Sequence, residues 1–99
     1  MNSKFVFKNN SDTDTLLENE IITKEEKLKN IILYNDDVNT FDFVIESLIE
    51  ICNHDFIQAE QCTYLVHYTG KCAVKRGTYK QLRPLCEALL DRGLTASIE

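Results

Sequence analysis

Short apolar runs alternate with longer stretches of helical spacing from about residue 28 to the end of the chain. Residues 31–34 form a β-branched and aromatic run, which predicts a central strand. The run ends at residues 35–37, an Asn-Asp-Asp sequence that favours a turn. Behind the turn, apolar residues recur every three or four positions and predict an amphipathic helix over about 40–52, with Asn39 as its N-cap. These apolar residues are Phe41, Val44, Ile45, Leu48, Ile49 and Cys52.

A second helix is predicted to follow Asp55, whose side chain can cap it while Gln58 reaches back to the cap. Gly70 is the expected end of this helix, since glycine readily adopts the left-handed conformation that closes a helix. The face predicted to be buried carries Phe56, Ala59, Cys62 and Val66.

A weaker strand over 71–76 precedes a third helix, for which Thr78 and Gln81 have the spacing of a capping box. Pro84 lies within this helical pattern, where it removes a backbone donor, so we expect an irregular first turn or a late start. The helix should end at Gly93, and residues 94–98 supply a last strand. The apolar positions of this third helix are Leu82, Leu85, Cys86, Leu89 and Leu90.

The order strand, helix, helix, strand, helix, strand predicts an α+β fold in which helices pack on a small sheet. Ninety-nine residues suffice for one domain. Residues 1–27 are rich in Asn, Ser, Asp, Thr, Lys and Glu, with few apolar residues to offset chain entropy, and are predicted to form a flexible N-terminal tail. The domain is therefore expected to span residues 28–99.

Composition narrows the classes of partner. The net charge is −5, and no basic cluster offers itself to phosphate groups, so neither a nucleic-acid nor an anionic membrane partner is expected. The amino terminus lacks the apolar run of a secretion signal, which favours a cytoplasmic protein with reduced thiols. The cysteines are 10, 10 and 14 residues apart, without the short spacing of a zinc or redox pair, so we expect no metal and no cofactor.

Three groups of polar residues are candidates for chemistry. The turn at 35–37 is by itself most often only a turn, but its side chains could also accept hydrogen bonds from an amine. His67 stands where a helix ends, and its imidazole could interact with the helix carbonyls or contact a ligand. His54 is interpreted as a surface residue. The carboxylates Asp42, Glu46 and Glu50 share one helix face and are interpreted as a solvated surface.

Taken together, the turn, Asp42-Phe43-Val44 five residues beyond it, and the later motif Val66-His67-Tyr68-x-Gly70-Lys71 resemble the ClpS adaptor family. The similarity covers about residues 29–99 and implies a ClpS-like fold with a three-stranded antiparallel sheet. It also implies a function: such adaptors bind proteins that begin with a bulky apolar residue (Phe, Leu, Tyr or Trp), called N-degrons, and deliver them to a Clp AAA+ protease. The resemblance thus implies a binding protein rather than an enzyme, with a ClpA- or ClpC-type unfoldase as partner.

The resemblance also assigns roles to individual residues. Asn35, Asp36 and His67 correspond to the polar group that receives the substrate α-amine. The residues at the positions that line the side-chain pocket are Asn39, Phe41, Val44, Thr63, Val66 and Leu94.

Two regions depart from the family pattern. Phe41 stands where the family commonly has methionine, and Thr63 makes one wall smaller and more polar. Lys80 and Arg83, followed by Pro84, replace residues that are often acidic on the surface facing the unfoldase.

Two alternatives stay open. The order of elements also resembles the carboxyl-terminal domain of the ribosomal stalk protein, which recruits translation factors, although that domain is typically richer in alanine, glycine and lysine. A metal- or thiol-dependent enzyme using Asp36, His67 and a cysteine is the third class.

Overall fold

The structure is a computed structural model that describes residues 26–99. Its elements are β1 (Leu28–Tyr34), α1 (Phe41–Cys52), α2 (Phe56–Thr69), β2 (Lys71–Thr78), α3 (Tyr79–Asp91) and β3 (Thr95–Ile98). The predicted α+β order is confirmed, with boundaries shifted by one to three residues. The tail predicted for 1–27 lies outside the described residues except for 26 and 27, which belong to no helix or strand.

Strand β1 is the centre of the sheet, in the order β2-β1-β3, and both of its neighbours run antiparallel to it. Ile31 and Leu33, two residues apart, are almost completely buried, as expected for a strand with one face on the core. The register with β2 shifts between Ile31 and Ile32, which marks a β-bulge. Just beyond the C-terminal end of β3, Glu99 and Asn30 of β1 exchange two backbone hydrogen bonds of 2.8 Å.

One apolar cluster joins the sheet to the helices. Helix α3 packs on all three strands, α2 packs on β2, and α1 packs on α2 and α3. The largest side chains in this core are almost fully buried, and each fully buried Leu or Ile contributes roughly 1.5–3 kcal/mol relative to exposure. They are Ile31, Leu33, Leu48, Leu82 and Leu89.

The N-terminal caps of α2 and α3 agree with the predictions from the sequence, whereas the cap of α1 does not. Asp55 accepts a hydrogen bond from the Gln58 amide at 2.7 Å, as predicted. Thr78 and Gln81 form the complete capping box of α3. The prediction that Asn39 caps α1 is wrong, because the Thr40 hydroxyl accepts from the Phe43 amide. Asn39 is thereby free for long-range hydrogen bonds.

His54 is buried, with 5% of its surface exposed, so its interpretation as a surface residue is wrong. Its Nε2 lies 2.6 Å from the carbonyl oxygen of Val74, which lies in β2. Since a carbonyl only accepts, Nε2 carries the hydrogen. The contact joins residues 20 positions apart, so no local pattern around His54 could indicate it.

Phe56 was predicted to be buried but is 56% exposed. It is the first residue of α2 and lies at the edge of the helix face that enters the core. Ala59, Thr63 and Val66 form the buried centre of that face.

Pro84 does not delay or interrupt helix α3, contrary to the prediction. The helix runs continuously from Tyr79 to Asp91, with Pro84 as its sixth residue. Proline cannot donate to the carbonyl four residues earlier, which belongs to Lys80. The capping box and the buried residues Leu82 and Leu89 hold the helix in spite of this lost bond.

Replacing Pro84 by alanine is therefore expected to stabilise the protein. The substitution restores one backbone donor and relieves the ring's clash with the preceding turn, a combination that costs ~3 kcal/mol in an ideal helix. Part of the gain is offset by the larger entropy of the unfolded chain, so we expect an increase of about 1–2 kcal/mol in the free energy of unfolding.

Urea unfolding followed by circular dichroism measures this change. Arg83→Ala is the matched control, because it removes only the exposed pair with Glu87 (3.0 Å) and should change stability by less than about 0.5 kcal/mol. A Pro84→Ala variant less stable than the parent would contradict the expectation.

Candidate functional site

The end of strand β1 and the end of helix α2 are joined by one backbone hydrogen bond. The amide of Asn35, the first residue after β1, donates to the carbonyl of Gly70 at 2.9 Å. Gly70 ends α2 in a left-handed conformation with φ of 98°, which glycine adopts without strain. His67 lies in the last turn of the same helix. This bond therefore brings the turn after β1 next to the histidine.

A cavity of about 280 Å³ opens at this junction. All nine residues assigned to a site from the sequence line it: Asn35, Asp36, His67, Asn39, Phe41, Val44, Thr63, Val66 and Leu94. The remaining lining residues are Leu33, Tyr34, Asp37 and Thr40. Leu33 and Tyr34 end the predicted strand, Asp37 lies in the predicted turn, and Thr40 lies at the start of the predicted first helix. Each is thus next or close in sequence to a residue assigned to the site.

The cavity is apolar inside and polar at its opening. Val44, Val66 and Leu94 are buried, and so is Thr63. The Thr63 hydroxyl donates to the Ala59 carbonyl at 2.8 Å within its own helix, so this wall is less polar than its sequence suggests. Asn35 and His67 are exposed. The arrangement combines an apolar interior with hydrogen-bonding groups accessible to a ligand.

The Asp36 carboxylate organises the turn after β1. One oxygen accepts from the amides of Val38 and Asn39, both at 2.9 Å, and the other accepts from the Asn39 side chain at 3.0 Å. Partial burial alone would raise the pKa of Asp36, but these hydrogen bonds favour the ionised form more strongly and lower it from its ordinary 3.8. The stability that this ionised group contributes is thus complete above about pH 3.8 and is lost as the pH falls through the lower folded-state value.

Asn39 links two loops that are distant in the chain. Its side-chain amide donates to Asp36 and also to the carbonyl of Gly93, at 3.0 Å each. Gly93 precedes Leu94, which also lines the cavity. Asn39 was predicted to line the pocket; the geometry gives it in addition the role of holding the two sides of the pocket together.

Four aromatic rings adjoin the opening. The Phe41 ring makes edge contacts with Tyr64 (centroids 5.2 Å apart) and His67 (5.1 Å). His67 in turn contacts Tyr68 edge to face at 4.8 Å, and the Tyr64 and Tyr68 rings are stacked at 6.0 Å. Sequence reasoning gave no role to Tyr64 and placed Tyr68 only within a motif, although their four-residue spacing puts them on one helix face.

The thiols and carboxylates do not favour the enzyme alternative. All four cysteines are unpaired. Burial raises the pKa of Cys52 to about 11, and burial together with a hydrogen bond to Cys72 raises that of Cys62 to about 12. The thiolate, which is the reactive form, is therefore disfavoured at these two positions. Within residues 26–99 no cluster of three or more His, Cys, Asp or Glu has the geometry to hold a metal ion, and no helix is long and apolar enough to cross a membrane.

Comparisons with known proteins agree on one family. Residues 24–97 match the family model described as ATP-dependent Clp protease adaptor protein ClpS. The ClpS adapter protein of Wolinella succinogenes is 41% identical over 61 residues, which are 62% of this chain and 60% of that protein. The ClpS adapter protein of Campylobacter jejuni is 40% identical over 58 residues, 59% of this chain and 58% of that protein. The chain thus matches about three fifths of the length of these relatives.

A solved structure shares the fold. The structure of Agrobacterium tumefaciens ClpS2 bound to L-phenylalaninamide superposes with a TM-score of 0.69 over 76% of this chain and 98% of that one, at 21% sequence identity. The predicted ClpS-like fold is confirmed.

The fold and the cavity define a small α+β binding domain. The family model matches residues 24–97, which are most of this chain, so the chain belongs to the ClpS family. That family is described as one of protease adaptors, in agreement with the prediction that the chain is not an enzyme.

Replacing Asn39 by alanine tests the link between the two loops. The variant loses the donor to the Asp36 carboxylate and to the Gly93 carbonyl, and we expect a loss of about 1–3 kcal/mol in the free energy of unfolding. Chemical denaturation at pH 7 measures it.

Asn35→Ala serves as the control, since it removes the same side chain four residues earlier from an exposed position and should leave stability within about 0.5 kcal/mol. Equal stability of the two variants would show that the Asn39 bridge does not hold the fold.

Proposed function

We propose that this protein is an adaptor that binds proteins by a free α-amine and a bulky apolar first side chain, and delivers them to a Clp AAA+ protease. The observation that carries the proposal is the convergence on one cavity of three polar groups, Asn35, Asp36 and His67, with an apolar interior. Family membership favours this function over that of a ribosomal-stalk-like domain.

The polar groups suit a primary ammonium ion. An α-amine with a pKa near 8 is mostly protonated at neutral pH and has three N–H donors to satisfy. The amide oxygen of Asn35, the ionised Asp36 carboxylate and a neutral His67 imidazole can each accept one hydrogen bond. Each charge-assisted hydrogen bond contributes about 1.5–3 kcal/mol, so the set distinguishes a free amino terminus from a blocked one.

The cavity suits one side chain. A volume of about 280 Å³ lies just below the range of roughly 300–1,000 Å³ in which drug-sized ligands bind. Burying a Phe or Leu side chain there contributes roughly 1.5–3 kcal/mol, which would favour Phe, Leu, Tyr or Trp as the first residue. Phe41, held by ring contacts with Tyr64 and His67, forms a rigid part of the opening.

The structural relative supports this choice of ligand. Agrobacterium ClpS2 was solved with L-phenylalaninamide, which carries a free α-amine next to a benzyl side chain. The same two features match the polar opening and the apolar interior of the present cavity.

A peptide that begins with phenylalanine is expected to bind, and acetylation of its α-amine should abolish binding. Acetylation removes the charge and leaves one N–H donor in place of three. Losing two charge-assisted hydrogen bonds weakens binding by at least about 100-fold. Fluorescence anisotropy with a labelled peptide measures both affinities.

A free-amine peptide beginning with glycine is the second control, because it retains the ammonium ion and lacks the side chain. Equal affinity of the free and acetylated Phe peptides would refute the proposed function.

Asn35→Ala and His67→Ala are each expected to weaken binding of the free-amine Phe peptide by about 10-fold or more, corresponding to one lost hydrogen bond to a charged group. Both side chains are exposed, so folding should be preserved. Thermal unfolding of each variant checks this. Unchanged affinity in both would remove these residues from the site.

The start of helix α3 is proposed as the face that meets the unfoldase, following the resemblance to the family. Tyr79, Lys80, Arg83, Pro84 and Glu87 line a shallow hollow there. Arg83 is paired there with Glu87 at 3.0 Å, so the charge of Lys80 is the one that favours an acidic docking surface on a ClpA- or ClpC-type partner. Reversing the charge with Lys80→Glu should weaken binding of the unfoldase and leave peptide affinity unchanged, because the residue does not line the peptide cavity.

A further inference from the structure

The aromatic rings beside the cavity form a surface that the proposed amine and side-chain sites do not use. We name Tyr64 and Tyr68 the aromatic shelf. Phe41 and His67 line the cavity, whereas Tyr64 and Tyr68 extend outward from them along α2. Tyr64 is 44% exposed and Tyr68 is 72% exposed, so their rings are accessible.

Two large aromatic side chains exposed side by side need an explanation. Their rings are nearly parallel, with an angle of 8° and a centroid distance of 6.0 Å. Edge contacts between Phe41 and Tyr64 and between His67 and Tyr68 fix each tyrosine to a residue of the cavity. The shelf is therefore continuous with the opening and is held in place before any ligand arrives.

A peptide bound in the cavity must bring its second residue to this opening. Consecutive Cα atoms are 3.8 Å apart, so the second side chain starts within one residue of the amine site. The shelf lies directly beside His67, one of the three groups proposed to receive the amine. A long second side chain can reach the ring of Tyr68 from there.

Charge around the opening favours a cation. Asp36 and Asp37 line the cavity, and no Lys or Arg is among its described lining residues. Glu60 lies one helical turn before Tyr64 on the same helix. A guanidinium ion stacks well on an aromatic face and would also be attracted by the acidic opening.

From this arrangement we infer that the aromatic shelf is a subsite for the second residue of the bound peptide and that it prefers arginine there. The inference rests on the proposed function, since it requires the first residue to occupy the cavity. It assigns to Tyr64 and Tyr68 a role in specificity.

Peptides that differ only at the second residue test the subsite. Citrulline has the planar shape of arginine without its charge, so Phe-Arg and Phe-citrulline peptides form a matched pair. We expect the full chain to bind Phe-Arg about two- to fivefold more tightly, the range of an exposed cation–π contact. Fluorescence anisotropy at constant ionic strength measures the ratio of the two dissociation constants.

Variants then test whether the shelf causes the difference between the two dissociation constants. Tyr68→Leu, which keeps an apolar side chain and loses the ring, should bring the ratio close to one, and Tyr68→Phe should retain it. Tyr79→Leu is the control, because Tyr79 is 54% exposed on helix α3 and does not line the cavity. Tyr79→Leu should leave the affinities for both peptides unchanged.

Three results would overturn the inference. Equal affinity for the two peptides means that the shelf does not recognise a cation. A ratio that survives both Tyr68→Leu and the Tyr64→Leu/Tyr68→Leu double variant means that the carboxylates alone attract arginine. Failure of every free-amine Phe peptide to bind refutes the proposed function as well, whereas binding of Phe-citrulline equal to Phe-Arg refutes only the subsite.

Discussion

The side-chain amide of Asn39 is the contact on which the geometry of the site depends. It donates to the Asp36 carboxylate in the turn after β1 and to the Gly93 carbonyl in the turn before β3. These turns carry the polar opening and one apolar wall, which belong to segments more than 50 residues apart in sequence. The bond to the Gly93 carbonyl contributes only about 0.5–1.5 kcal/mol and the bond to the charged Asp36 carboxylate about 1.5–3 kcal/mol, but together they join two turns beside the cavity.

A second constraint places the histidine. The bond from the Asn35 amide to the Gly70 carbonyl aligns the end of a strand with the end of a helix, two points where backbone groups commonly lack partners. The fold thereby satisfies its own backbone at the site and leaves side-chain acceptors accessible at the opening. Asn39 and the Gly70 turn join segments of the fold, whereas the side chains proposed to face the ligand, Asn35 and His67, are exposed, so binding and stability are expected to depend on different groups.

The sequence predicted the fold where the signals were local. The strand at 31–34, the three helices and the caps at Asp55 and Thr78 follow from spacing and from side chains within three residues of the backbone they bond. The residues of the candidate site could also be predicted from the sequence, because a turn motif and a histidine motif together resemble one family. Their convergence on a single cavity is a property of the structure, while their roles in binding remain predictions.

What the sequence could not predict depends on contacts between distant segments. His54 is buried because β2 folds back over it, 20 residues later. Asn39 is free of its expected capping role because Thr40, one residue further, takes that role, and only the Gly93 turn explains what Asn39 does instead. Pro84 is tolerated because packing of Leu82 and Leu89 outweighs a lost backbone bond. In each case tertiary packing overrides a local preference.

The hydrogen bonds to Asp36 have a further consequence for the heat of association. An aspartate with the ordinary pKa of 3.8 is already a carboxylate at neutral pH, and these hydrogen bonds, which lower the pKa, extend the ionised state to more acidic solutions, so the group releases no proton when an ammonium ion approaches. The charge proposed to meet the ligand is thus in place beforehand, without a coupled ionisation at this residue. Calorimetric enthalpies of ligand capture would then contain no contribution from buffer neutralising a proton of Asp36.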